Sequence, residues 1–125
     1  MIDVEALLTS WIEATVDNVH AMSETPNDLD DLLPAAKIRR IGGPYDGFRL
    51  DRATVDVDVF DATRDGASAV ALHIQWALHN LLARNKTGDA VVTRVETLTG
   101  PRPLPYDNSG LRRFGATYRI TVHPA

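Results

Sequence analysis

Asp56 and Asp58 are the first residues in this 125-residue chain whose type and spacing suggest chemistry. They stand two apart in a stretch where Val55, Val57 and Val59 alternate with polar residues. On a strand this puts both carboxylates on one face, ~6.5–7 Å apart along the backbone. Such a pair can hold a hard cation or flank a glycosidic bond. A solvated strand face is the plainer reading, because Thr54 and Asp61 nearby add no further ligand pattern. His73 and His79 share one helical segment, but a spacing of six turns them to different faces, whereas a chelating pair stands at i and i+4. His20 and His123 stand alone, and neither Ser68 nor Ser109 sits in the strand-turn-helix elbow of a hydrolase. Gly42-Gly43-Pro44-Tyr45-Asp46-Gly47 lacks the lysine and the spacing of a phosphate loop and reads as a turn. With no cysteine in the chain, disulfides, thiolate zinc sites and cysteine nucleophiles are excluded. The expectation is a protein with no catalytic, cofactor or metal site.

Residues suited to contacts are more evident. Tyr45, Phe48 and Arg49 cluster in the glycine-rich stretch, and aromatics with arginine are the types that anchor protein interfaces. Arg112 and Arg113, with Lys37, Arg39 and Arg40, form two basic clusters. Aromatic partners are too few for a single-stranded nucleic-acid platform. Cross-strand pairing of these cations with Asp56, Asp58 or Glu96 is the simpler expectation. Trp11 and Trp76 are expected in the core or at helix contacts.

The elements that must position these residues follow from periodicity. Val4, Leu7, Leu8, Trp11, Ile12 and Thr15 recur at helical spacing after a candidate N-cap, Asp3. Residues 19–32 combine Ser23, Thr25, Pro26 and Asn27 with acidic groups and read as a mobile loop. A strand over 33–41 places Lys37, Arg39 and Ile41 on one side, and 42–52 is a long turn. Residues 53–62 are the clearest strand. A second helix, capped by Thr63 or Asp65, runs to about Leu82 with an apolar stripe of Ala67, Val70, Ala71, Ile74, Ala77, Leu78 and Leu81. Residues 90–99 form a third strand, which Gly100-Pro101-Arg102-Pro103 is expected to end. A fourth runs over 111–123. The order α-β-β-α-β-β predicts an α+β fold, a mostly antiparallel four-stranded sheet with two helices packed on one face, in a single domain over 1–125.

The composition narrows the class. Hydrophobic residues make up 44% and charged residues 24%, as in a globular domain. A net charge of −4 argues against a whole-domain nucleic-acid binder. Met-Ile-Asp-Val-Glu has no basic region, so no signal peptide is expected, and no apolar run nears the ~20 residues of a membrane helix.

Three segments carry a resemblance: Ala53-Thr-Val-Asp-Val-Asp-Val-Phe-Asp-Ala-Thr-Arg leading into an Ala-rich helix, Val91-Val-Thr-Arg-Val-Glu-Thr-Leu-Thr-Gly-Pro-Arg-Pro-Leu-Pro, and Arg113-Phe-Gly-Ala-Thr-Tyr-Arg-Ile-Thr-Val-His. From about Leu33 onward the chain resembles the tail terminator proteins of long-tailed phages (siphophages), especially those infecting actinobacteria. The resemblance implies a homo-oligomeric ring, typically a hexamer, that caps the major tail tube protein, stops polymerisation and meets the head-side connector. It implies a place in the neck of the virion after assembly in the host cytoplasm, genomic DNA passing through without specific binding, and neither enzymatic activity nor cofactor nor membrane. Asp56 and Asp58 would then be candidates to line an acidic lumen that repels phosphates, and Tyr45, Phe48, Arg49, Arg112 and Arg113 candidates for an interface. The alternatives are another neck component (a head-tail joining or tail-completion protein) and a small non-phage ligand-binding α+β domain.

Overall fold

The two helices begin where short polar side chains satisfy free backbone N–H groups. Asp3 accepts from the Ala6 N–H at 3.0 Å and starts α1 (Val4–Thr15); Thr63 accepts from the Gly66 N–H at 3.1 Å and starts α2 (Arg64–Ala77). The computed structural model describes residues 2–44, 50–108 and 110–125. α2 continues into a π-helical turn, Leu78–Leu82, where the Ala83 N–H reaches back to the Leu78 carbonyl. Leu78 and Leu82, at the two ends of this turn, are both buried. Arg84 then takes a left-handed conformation and ends the helix.

The strands are β1 (His20–Met22), β2 (Ala35–Gly42), β3 (Asp51–Asp61), β4 (Asn85–Thr87), β5 (Ala90–Leu104) and β6 (Arg112–Pro124). They form one curled, six-stranded mixed sheet in the order β1-β2-β3-β6-β5-β4, with β1 parallel to β2 and the other pairs antiparallel. This corrects the expected four-stranded, mostly antiparallel sheet. The two added strands have three residues each, too short to show a period of two. β5 also runs through Pro101 and Pro103 to Leu104, where the sequence suggested a stop. β4 covers only Ala90–Val92, so beyond that point β5 is the sheet edge among the described residues. At an edge, and beside the register shift between Thr99 and Arg102, a missing N–H removes no ladder bond.

Val55, Val57 and Val59 of β3 meet Ile74 and Ala71 of α2, and Leu8 and Ile12 of α1 join the same core. A second, smaller core gathers Leu29, Ala35, Phe60 and Leu111, with the Tyr106 ring tilted against Phe60 at a centroid distance of 4.9 Å. Leu29 belongs to a 3-10 turn, Leu29–Asp31, and is 5% exposed, so residues 19–32 are anchored to the end of the sheet rather than loose. The folded surface of 6727 Å² agrees with the ~6,600 Å² expected of a 13.7-kDa domain.

Candidate assembly surface

With the helices on one side of the sheet, the alternation of each strand sends every second residue to the other side. Asp56 and Asp58 project there. Across β2 they face Arg39 and Lys37; across β6 they face Thr117 and Gly115. Asp56 accepts a hydrogen bond from the Thr117 hydroxyl at 2.7 Å, and Asp58 is paired with Arg113 at 3.0 Å. Asp56, Asp58, Lys37, Arg39 and Arg113, with Phe60 and Tyr106, line a depression of about 180 Å³. Gly115 keeps the centre of the face flat: a Cβ there would collide with the Leu104 side chain and come within 2.7 Å of an Asp58 carboxylate oxygen.

The same register brings together cations that are scattered in sequence. β2 contributes Lys37 and Arg39, β3 contributes Arg52, and β6 contributes Arg113 and Arg119. β5 adds Arg94 and Arg102, and β4 adds Lys86. Eight of the chain's 13 Lys and Arg residues therefore share this face with only three of its 17 Asp and Glu residues: Asp56, Asp58 and Glu96. The face carries a formal charge of +5 and the rest of the chain −9, which together give the net −4. Asp56 and Asp58 are thus the acidic minority of a basic face. No stretch of sequence announces this face. It depends on the pairing register of five strands, one of them only three residues long.

The other candidates are dispersed. Arg113 joins the basic face, whereas the exposed Arg112 is opposite Asp61 on β3. Tyr45, Phe48 and Arg49 lie outside the described residues. Their flanks are nonetheless firmly held. Arg40 on β2 and Asp51 on β3 form a two-pronged ion pair, with both guanidinium Nη atoms on the carboxylate at 2.5 and 2.6 Å. That hydrogen bond, with the adjacent charge, holds the Arg40 proton more tightly than usual despite partial burial. The Arg40 backbone N–H also donates to Glu5 of α1 at 2.9 Å.

The histidines do not converge. His79 hydrogen-bonds the Thr97 hydroxyl at 2.6 Å, which Gln75 also approaches, while His73 lies edge-on to Trp76. His123 contacts the Pro124 carbonyl, and His20 is 3.9 Å from Glu13. Among the described residues, no group of three or more His, Asp or Glu is placed to hold a metal ion. Trp11 is partly buried against the core, as its helical position suggested. Trp76 departs from expectation: it is 54% exposed, with Leu72 at 53% one turn away, on the side of α2 that the core does not use.

No protein-family model matches the sequence, and no curated protein matches it. Among solved structures, the fold is similar to a chain in the structure described as "Virion of native gene transfer agent (GTA) particle". The two superpose with a TM-score of 0.62 at 15% identity, over 96% of this chain and 94% of that one. At this identity the likeness is one of fold.

Proposed function

We propose that the chain is a structural subunit of a tailed-phage particle, and specifically its tail terminator. It caps the tail tube, halts polymerisation of the major tail tube protein and offers the head-side connector a docking surface. It works as a homo-oligomeric ring, most simply a hexamer, in the neck of a siphophage-like virion assembled in the host cytoplasm. The observation that carries this reading is the end-to-end likeness in fold to a chain from a virion particle. The sequence resemblance of residues 33–125 to tail terminators supplies the specific role, and neither line implies turnover or a cofactor.

The charge distribution bears on orientation. A lumen lined by the sheet face that carries Asp56 and Asp58 would attract phosphates, since cations outnumber carboxylates there. We therefore place that face at a protein contact and leave the DNA path to other surfaces. The same likeness also fits a head-tail joining or tail-completion protein, and one experiment separates the readings. Purified protein mixed with its tail tube protein should appear by electron microscopy as a single density at one end of each tube and should stop growth there. Binding to connector rings but never to tube ends would assign the joining role instead.

A further inference from the structure

The molecule is polar along its strands as well as across its sheet. At the end where β3 finishes, Leu29 is buried beside Phe60 and pins the preceding loop against the sheet. That loop and the neighbouring 105–108 turn expose Glu24, Asp28, Asp30, Asp31 and Asp107. Among the described residues none of the five has a cation within 4.0 Å, and only Asp30 accepts a side-chain hydrogen bond, from the Asn108 amide at 3.4 Å. At the opposite end, adjacent strands gather Arg52, Arg119, Arg94 and Lys86 around one carboxylate, Glu96, which Arg94 pairs at 3.5 Å. The Nε of Arg119 is buried with no partner. From Arg113 to Thr121 along β6 the two ends are ~26 Å apart, at ~3.3 Å per residue.

We propose that the basic end of the sheet face receives the acidic loop of a second copy of this chain, in a head-to-tail contact. This rests on the reading that the chain assembles with itself. A heterologous contact needs two unlike, complementary surfaces on each subunit, and these two are unlike in sign, with Arg94–Glu96 the one ion pair within either of them among the described residues. Four cations and Glu96 give the basic end a net charge of +3, which the loop's five carboxylates more than neutralise. A polyanion such as duplex DNA suits the face less well. Asp56, Asp58 and Glu96 interrupt the cations, and the Phe60–Tyr106 ring pair sits at the acidic end, away from the basic cluster. Because the two surfaces lie at opposite ends, one subunit cannot satisfy its own, and successive copies continue in one direction.

The absence of cysteine makes the test clean. A chain carrying Asp28→Cys and Arg52→Cys cannot close the bridge internally, because a disulfide needs Cα atoms within ~7 Å. At ~0.1 M salt and high protein concentration, oxidation should give a ladder of dimers and larger species; at ~1 M salt, where the Debye length shrinks from ~10 Å to ~3 Å, the cross-linked fraction should fall about fivefold or more. Adding Arg119→Glu should abolish the ladder. A charge-reversed pair provides the second arm: Arg52→Glu/Arg119→Glu chains and Asp28→Lys/Asp30→Lys chains should each fail to self-associate, while their mixture should assemble with the two variants alternating. No ladder at low salt, or one indifferent to Arg119→Glu, overturns the contact. Duplex DNA retarded by the wild type but not by Arg52→Glu/Arg119→Glu, without cross-linking, overturns it in favour of a polyanion. Tube capping by a protein that fails to cross-link would refute this surface and leave the terminator reading standing; cross-linking without capping would do the reverse.

Discussion

Replacing Asp51 with Asn should show how firmly the end of β2 is clamped to the start of β3. The Asp51 side chain is 4% exposed and takes both Nη atoms of Arg40, whose own side chain is 21% exposed. Removing one partner of a fully buried pair costs ~3–5 kcal/mol, because the other charge is left without compensation. Arg40 keeps some water and two weaker acceptors, the carbonyls of Gly42 and Gly43 at 3.1 and 3.4 Å. The expected loss is therefore smaller, ~2–4 kcal/mol, as befits a partly solvated cation. Against the ~5–15 kcal/mol stability of a typical domain this is a large share. Chemical denaturation monitored by tryptophan fluorescence should show a lower midpoint with an unchanged slope. The joint variant Arg40→Met/Asp51→Leu should lose less than Asp51→Asn alone, since no charge is stranded. A loss under ~1 kcal/mol for Asp51→Asn would put the pair in the class of exposed ion pairs and refute the clamp.

Three further outcomes can be checked on the purified protein. Val57→Ala and Ile74→Ala, which remove side chains 3% and 0% exposed on facing layers, should cost ~1–5 kcal/mol each in urea titrations, while Asp58→Ala should cost clearly less; equal losses would mean the strand face is misassigned. Gly115→Val should destabilise by ~1–3 kcal/mol, because its side chain meets Leu104 and Asp58 on the tightly paired β6, and a neutral result would show that the face tolerates bulk there. Burial pushes the ionisation of Tyr118 well above the ordinary phenol range. The folded state then keeps a proton that the unfolded chain loses near pH ~10, so this contribution is full below that pH and is lost as pH rises beyond it. Alkaline melting curves should show the decline, and Tyr118→Phe should flatten it.

Helix starts and the alternating face of β3 were legible in the sequence because each is a local signal. Asp3 and Thr63 cap their helices through bonds to residues three positions on. Val55, Val57 and Val59 reach the core by period alone. What the sequence hid depends on distant partners. β1 exists because residues 20–22 lie parallel to Ala35–Lys37, and β4 because residues 85–87 fold back on β5. Pro101 and Pro103 misled because proline stops a strand only where its missing N–H would have been paired. Trp76 misled because α2 is amphipathic on its core side yet carries two large apolar residues on the other. The pairing of Asp58 with Arg113 follows the cross-strand expectation, but the basic face around it depends on register, which no single segment encodes.

The tail-terminator assignment is tested most directly by counting copies of this chain on tail tubes. Tubes grown from the phage's own tube protein in its presence should carry one ring at a single end, six copies by mass, and should stop lengthening once it binds. Tubes that keep growing with the protein present, or that bind it along their sides, would contradict the assignment.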